Sequence, residues 1–296
     1  MSGSPFDLDN SAAYAAWRER KLDTAPRRIE DILVEVDDPR SLSPAQRARI
    51  IELNAVCNMA IYSGKTGRDP DKEIPRRLGA QLGLSHIDGH WLTDSDDISP
   101  ISVRGAEERG ERRDFIPYTD KPIKWHTDGY YNAPERTVRA LLLHCVESAV
   151  SGGDNQLLDH EIAYILLRDQ NPELVRALAQ PGAMTIPARH EPDGRVARGE
   201  QSGPVFSIDA QGFLHMRYTA RAVNVVWHDD AATRAAVAAL AGMLAQPTPW
   251  TLRGRLEPGM GLVSNNVLHD RSGFTESSER RRLLYRARYY ERVAAR

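Results

Sequence analysis

The feature that most limits the fold of this chain is a succession of short, strand-like segments that begins at residue 123. Apolar and β-branched residues recur in short runs between glycine, proline and asparagine, and only two helix-like segments interrupt them. A parallel dinucleotide-binding sheet fits badly, because few strands alternate with helices and no G-x-G-x-x-G follows any strand. The pattern predicts a mainly β fold, an antiparallel sandwich or barrel with helical insertions. The strand candidates are residues 136–147, 184–189, 204–219 with a turn at 210–212, 224–227, 250–269 and 282–291.

Helices are predicted where a capping residue precedes apolar residues at helical spacing. Asn10 or Ser11 would cap a helix over 11–22, and Ser43 would cap a longer one over 43–62. The stretch 94–120 is charged and interrupted by glycine and proline, which predicts a surface loop in its middle. Three further helices are expected over 75–84, over 159–170 with Asp159 as its cap, and over 230–246 with Asp229 or Asp230 as its cap.

Composition excludes several classes of protein. The net charge of −2 over 296 residues offers no field for a polyanion, so we expect no nucleic acid partner. No run approaches 18 apolar residues and the N-terminus lacks a signal-peptide layout, so we expect no membrane association. Cys57 and Cys145 are the only cysteines, which fits a reducing compartment and excludes a cysteine-built zinc or iron–sulfur site. These features predict a cytoplasmic protein.

The segment "WHTDGYYN" (125–132) contains a His-x-Asp pair, His126 and Asp128, that could bind a metal ion. The spacing alone proves nothing, because two other His-x-Asp pairs occur, at 86–88 and 228–230. Residues i and i+2 of a strand point to the same face, so the imidazole and the carboxylate would converge. Two histidines and one carboxylate form the facial triad of non-heme iron oxygenases, so a second histidine is needed.

His269, at the end of a strand candidate, is the histidine that could complete such a triad. In an antiparallel barrel, the ends of strands that are distant in sequence can meet. Thirteen residues later the strand candidate 282–291 begins, with Arg282 and Arg286 on one face by alternation. An arginine on a largely apolar strand is costly unless it meets an anion, and its guanidinium can bind a carboxylate bidentately.

Together, "WHTDGYYN", "SGGDNQLLD" (151–159), "LEPGMGLVSNNVLHDRSGF" (256–274) and "RRLLYRARYY" (281–290) resemble a known family. They are similar to the Fe(II)/2-oxoglutarate dioxygenases of the taurine dioxygenase and TfdA type, which include γ-butyrobetaine hydroxylase and clavaminate synthase. The resemblance covers about residues 110–292. It departs at 264–266, where Ser-Asn-Asn stands in place of the Asp-Asn pair and basic residue common in the family.

The resemblance implies a double-stranded β-helix, or jelly roll, in one catalytic domain over 1–296. Residues 111–296 would form its core, and residues 1–110, which match no member, would supply helices and substrate-pocket loops. It implies Fe(II), 2-oxoglutarate and O2, with hydroxylation or desaturation of a small anionic or zwitterionic molecule and release of succinate and CO2. Retention of the carboxylate favours hydroxylation over halogenation. The implied residues are His126, Asp128 and His269 for iron and catalysis, and Arg282, Asn155 and Arg286 for 2-oxoglutarate.

Four residues are candidates for contact with the substrate: Arg286, Tyr130, Tyr131 and His86. Two other functions stay open at this point, a metal-dependent hydrolase or isomerase on a similar barrel and a non-catalytic jelly-roll binding protein. A homo-oligomer is possible, since dimers and tetramers are common in the family.

Overall fold

The computed structural model describes residues 3–89, 97–103, 115–191, 193–221 and 225–293. Helices and strands alternate irregularly along the chain, so the architecture is mixed, with several sheets. The helices are α1 (Ser11–Thr24), α2 (Pro44–Cys57), α3 (Glu73–Gln81), α4 (His160–Gln170), α5 (Pro172–Leu178) and α6 (Ala231–Leu244). The strands are β1 (Leu33–Val36), β2 (Met59–Gly64), β3 (Ser99–Ile101), β4 (Ile123–His126), β5 (Ala140–Glu147), β6 (Ser151–Gly152), β7 (Asn155–Leu158), β8 (Met184–Ile186), β9 (Arg189–His190), β10 (Val196–Arg198), β11 (Gln201–Gly203), β12 (Phe206–Ile208), β13 (Leu214–Met216), β14 (Val226–Trp227), β15 (Leu252–Gly254), β16 (Met260–Ser264), β17 (Leu268–Arg271), β18 (Phe274–Thr275) and β19 (Leu283–Tyr289).

Two compact units make up the chain, and each is built from separate segments. The first unit comprises Met1–Ala25, Trp125–Thr137 and Leu158–Thr251. The second comprises Pro26–Lys124, Val138–Leu157 and Leu252–Arg296. A single catalytic domain divided near residue 110 stays a prediction.

The second unit contains a six-stranded sheet in the order β1-β2-β16-β5-β19-β3. Its pairs are antiparallel except for β1 with β2, which is parallel. The register aligns Ile61, Leu262, Leu143 and Arg286 across four neighbouring strands. Residues directly opposite each other share a face of the sheet, so Arg286 lies on the same face as these aliphatic side chains.

Gly261, in the central strand β16, allows a buried polar contact on the other face of this sheet. It lies between Tyr62 of β2 and His144 of β5 in the register. The Tyr62 hydroxyl is 2.8 Å from Nδ1 of His144, and the two rings are stacked with their centroids 6.0 Å apart. A Cβ at residue 261 would lie 2.4 Å from the Tyr62 ring, so only glycine leaves room for it.

The first unit packs four helices, α1, α4, α5 and α6, with short antiparallel sheets. Its small sheets are β11-β8-β14, β9-β10 and β12-β13. Lys21 of α1 is buried and ion-paired with Asp159, at 2.7 Å, and with Glu161 at the start of α4. The indole Nε1 of Trp125 donates to the carbonyl of Leu244 at 3.0 Å, which fixes the end of β4 against α6.

Most predicted caps are confirmed. Asn10 caps α1, Ser43 caps α2 in a capping box with Gln46, Asp159 caps α4 and Asp230 caps α6. The turn predicted at 210–212 joins β12 and β13, with Gly212 at a φ of +87°.

One prediction of local structure is wrong, and some elements were not predicted. The helix expected over 43–62 ends at Cys57, because Asn58 adopts a left-handed conformation with φ of +60°, and Met59–Gly64 form β2. In the stretch 94–120, whose middle was predicted to be a loop, Ser99–Ile101 form β3, which pairs with β19 and was not predicted. Helix α5 was not predicted. Residues 94–96 and 104–114 of that loop, and residue 224 of a predicted strand, lie outside the described residues.

Within the described ranges, no helix combines the length and apolarity needed to cross a lipid bilayer. A cytoplasmic location stays a prediction.

Candidate metal centre

His126 is the last residue of β4, and the backbone around it is held by a neighbouring segment. It forms an isolated antiparallel bridge with Thr219. The buried Thr127 exchanges two bonds with Tyr218, donating from its backbone N–H at 3.0 Å and accepting at its hydroxyl at 3.1 Å. The Thr127 hydroxyl is therefore occupied by the backbone of Tyr218.

Asp128 lies beyond the end of β4, in a turn, so strand alternation is not what brings it to His126. Gly129 follows with a φ of +69°, a conformation that favours glycine. The turn places Oδ1 of Asp128 3.7 Å from Nε2 of His126.

His269 lies on β17, which is the neighbour of β4 in a four-stranded sheet of order β15-β7-β17-β4. Its Nδ1 is 2.9 Å from the carbonyl oxygen of Val267. One donor atom from each of His126, Asp128 and His269 lies within 4.8 Å of the other two. The side chains of His126 and Asp128 are 13% and 7% exposed, and His269 is 7% exposed.

This donor set fits a divalent iron ion. Two imidazole nitrogens and one carboxylate oxygen are the protein ligands of the facial triad, which leaves other coordination positions for small molecules. The low exposure of all three side chains would keep bulk water from competing for the ion.

Asp270, which sequence analysis did not single out, braces the strand that carries His269. Its carboxylate accepts from the backbone N–H and the side-chain amide of Gln156, at 2.7 and 2.9 Å. The side-chain amide of Asn155 donates to the backbone carbonyl of Asp270 at 2.6 Å. Burial raises the pKa of the Asp270 carboxyl, and the bonds from Gln156 oppose this. The sequence feature that could have identified Asp270 is its position directly after His269, where an acid stands in a strand that is otherwise predicted to be buried.

His269 and Asn155 both line a small cavity in the second unit. The two polar residues share its wall with aliphatic side chains, which suits a short, partly apolar molecule. The aliphatic and glycine residues that complete the lining are Ile29, Ile61, Leu143, Leu157, Gly254, Leu256 and Leu262.

Arg282 is buried, 5% exposed, immediately before β19. Its guanidinium lies 5.1 Å from the centroid of the Phe274 ring, and a Cβ at Gly153 would lie 3.5 Å from its Nε. Burial lowers its pKa to about 10, with opposing effects of Cys145 and Glu276. In the described part of the chain it forms no ion pair with a carboxylate, which is unusual for a buried arginine.

The two arginines of β19 differ in their surroundings. Arg288 is paired with Asp88 at 2.5 Å, and both side chains are buried. Tyr290 donates to the second oxygen of the same carboxylate at 2.8 Å. Arg286 is half-buried on the face that carries Leu143, a residue of the cavity wall.

Of the substrate candidates, Tyr130 and Tyr131 follow the Asp128 turn directly, and their rings meet edge to face with centroids 5.1 Å apart. His86 lies at the surface, 77% exposed, with its ring bonded to Glu291, and outside the metal-ligand cluster.

Comparison with known proteins assigns the chain to a family. The family model described as "Taurine catabolism dioxygenase TauD, TfdA family" matches residues 23–288. A uridine-5'-phosphate dioxygenase from an Amycolatopsis species is 31% identical over 281 residues, which cover 89% of this chain and 98% of that protein. Another from a Streptomyces species is 32% identical over 196 residues, covering 64% of this chain and 70% of that protein.

The fold is similar to that of asparagine oxygenase, solved with Fe(II), 2S,3S-3-hydroxyasparagine and succinate. The TM-score is 0.58 at 14% identity, over 97% of this chain and 86% of that one. The predicted enzyme class and its need for Fe(II) and 2-oxoglutarate are confirmed by these matches. The chain belongs to the TauD/TfdA family of dioxygenases.

Proposed function

We propose that His126, Asp128 and His269 bind Fe(II) and form the catalytic centre. The observation that carries this proposal is the convergence of their donor atoms within 4.8 Å, although the residues come from distant parts of the sequence. The strands around the site would form the double-stranded β-helix predicted from the sequence, a proposal supported by the similarity in fold to asparagine oxygenase.

Arg282 and Asn155 would hold 2-oxoglutarate, with Arg286 near the same end of the site. A buried guanidinium without an ion pair among the described residues is suited to bind the far carboxylate of the co-substrate. Asn155 retains a second amide N–H besides the one it donates to Asp270, so it could donate to the same carboxylate.

The substrate would be uridine 5'-phosphate or a closely related nucleoside 5'-phosphate, as in the two relatives from Amycolatopsis and Streptomyces. This agrees with the small anionic substrate predicted from the sequence. Bound iron, with 2-oxoglutarate and O2, supplies the oxidising chemistry that hydroxylates an unactivated C–H bond and releases succinate and CO2. The protein would contribute the position of the substrate, the positive charge around it and the exclusion of water.

Two measurements test this function. Anaerobic addition of Fe(II) and 2-oxoglutarate should produce a weak visible absorption band, which a zinc hydrolase or a binding protein would not give. Succinate should then form in air in proportion to added uridine 5'-phosphate, and much more slowly with uridine. If the absorption band develops but no nucleoside 5'-phosphate drives succinate release, the proposed metal centre stands and the proposed substrate is wrong. Amino acids, sulfonates, betaines and aryloxy acids would then be screened.

A further inference from the structure

A short hairpin of the first unit places two arginines opposite each other. Strands β9 and β10 pair so that Arg189 faces Arg198 across the hairpin. Like charges directly opposite each other destabilise a strand pair, so such an arrangement needs compensation. Glu191 compensates Arg189, with 2.6 Å between the carboxylate and the guanidinium.

Among the described residues, no carboxylate forms an ion pair with Arg198. Its guanidinium donates to two backbone carbonyls, of Pro187 at 2.7 Å and of Gly199 at 3.3 Å. It lies 5.9 Å from the centre of the Tyr131 ring. It is half-buried, and burial lowers the pKa of its guanidinium, with Tyr130 and Tyr131 opposing this. The positive charge is therefore held in a partly desolvated position without a carboxylate.

Arg217 adds a second charge to this region and fixes the turn that follows Asp128. Its Nε donates to the carbonyl of Tyr130 at 2.7 Å, and its other nitrogens donate to carbonyls of Met184, Gln201 and Gly203. Burial, and then the nearby Arg198, lower its pKa to about 10. Among the residues that the structure describes, all the hydrogen bonds of the Arg217 side chain go to backbone carbonyls, so Arg217 braces the turn and its charge is not neutralised there by a carboxylate.

Arg221 brings a third guanidinium to the segment that pairs with His126. Its backbone N–H donates to the hydroxyl of Thr219 at 3.4 Å, and Thr219 forms the bridge with His126 at the end of β4. Arg221 forms no ion pair with an acid in the residues that the structure describes. The Arg198 guanidinium near the Tyr131 ring and the segment that contains Arg221 thus both adjoin the turn that carries Tyr130 and Tyr131.

We propose that Arg198 and Arg221, together with the hydroxyls of Tyr130 and Tyr131, form a subsite for a dianionic phosphate monoester, the phosphate of the substrate. Two guanidinium groups and phenol donors match the oxygens of a phosphate, and the charge of a dianion would offset the excess positive charge. Tyr130 of the subsite lies two residues after Asp128 in the sequence, so a phosphate bound there would hold the rest of a nucleotide beside the metal ligands.

This inference rests on the proposed function, since it names the residues that would recognise the phosphate of a nucleoside 5'-phosphate. It predicts that the phosphate group increases the affinity for a ligand much more in the wild-type protein than in variants of the subsite. Arg217 acts as a positioning residue, because its bonds hold the Tyr130 turn.

The test compares binding of uridine 5'-phosphate, ribose 5-phosphate and uridine to the protein loaded with Fe(II) and N-oxalylglycine under anaerobic conditions. Arg198→Gln and Arg221→Gln should each weaken both phosphate-bearing ligands roughly 10- to 100-fold, the range expected for a lost charge-assisted contact. Binding of uridine should change little, so the discrimination between uridine 5'-phosphate and uridine should collapse. Affinity for N-oxalylglycine should stay at the wild-type value.

The matched control is Arg195→Gln. Arg195 lies in the same hairpin but is exposed and paired with Asp193 at 2.6 Å, so its loss removes one charge without touching the subsite. If one arginine variant fails to fold, the other still tests the subsite. Suppose that a folded Arg198→Gln or Arg221→Gln protein discriminates between uridine 5'-phosphate and uridine as the wild type does, while uridine 5'-phosphate still drives succinate release. That result overturns the subsite alone. A wild-type protein that binds neither phosphate ester overturns the subsite together with the proposed substrate.

Discussion

Nδ1 of His269 lies 2.9 Å from the carbonyl oxygen of Val267, two residues earlier on the chain. A carbonyl only accepts, so Nδ1 carries the proton and Nε2 keeps its lone pair. This is the tautomer that a metal ligand needs, and it is fixed by the backbone of the strand that carries the histidine. The candidate centre is therefore prepared before any ion binds.

Replacing Asp128 with alanine should abolish stoichiometric binding of Fe(II). Loss of residues that only orient metal ligands typically weakens affinity about 10- to 100-fold, and loss of a ligand should exceed this. Metal content after equilibrium dialysis, and the absorption of Co(II) used as a probe, would measure the effect.

His228→Gln is the matched control for this variant, because His228 belongs to another His-x-Asp pair of the chain. That histidine is exposed and bonded to Asp230, the cap of α6. Its loss should leave metal binding unchanged. Stoichiometric iron in Asp128→Ala would remove Asp128 from the ligand set.

Replacing Arg282 with glutamine should raise the KM for 2-oxoglutarate by orders of magnitude. Truncating one partner of a buried, hydrogen-bonded charge pair costs about 2–5 kcal/mol. The KM of Arg282→Lys should lie between those of the wild type and Arg282→Gln, since lysine keeps the charge but cannot bind a carboxylate bidentately. Succinate release as a function of 2-oxoglutarate concentration gives the KM, and Arg281→Gln, a change at the exposed neighbour, should behave as the wild type. A near-normal KM in Arg282→Gln would show that another residue binds the co-substrate.

The local signals in the sequence predicted the caps of α1, α2, α4 and α6, but they could not predict the register between strands. Residues 59–62 continued the apolar spacing of α2, so a helix was expected where β2 forms, and only the conformation of Asn58 ends that helix. The convergence of His126 and Asp128 was expected from strand alternation, whereas it arises from the turn at Gly129. The opposition of Arg189 and Arg198 depends on the pairing of two very short strands, which no spacing in the sequence reveals.

The stability of the protein should fall as the pH drops from about 6.5 to about 4 because of His144. Burial lowers the pKa of His144 to about 4, with Asp69 opposing and Arg40 assisting this effect. The unfolded chain binds a proton at this residue near pH 6.5 and the folded chain does not until about pH 4, so protonation favours unfolding. The contribution should be roughly 3 kcal/mol of unfolding free energy.

Urea unfolding of the metal-free protein at pH 7 and pH 4.5 measures this dependence. His144→Gln should be less stable at pH 7, because Tyr62 loses its partner, but its stability should fall less on acidification. Equal losses in the two proteins would mean that other groups account for the acid sensitivity.

Replacing Gly261 with alanine should destabilise the six-stranded sheet. A Cβ there would lie 2.3 Å from the carbonyl oxygen of Leu143 and 2.4 Å from the Tyr62 ring, so backbone or ring must move. Overpacking of this kind costs about 1–3 kcal/mol, and the Tyr62–His144 hydrogen bond would be strained as well. Gly242→Ala is the matched control, because Gly242 lies within α6 with open space around its Cβ position, and alanine there should stabilise by about 0.5–1 kcal/mol. Urea unfolding of both variants gives the two free energies, and a Gly261→Ala protein as stable as the wild type would show that the strand can shift to admit the methyl group.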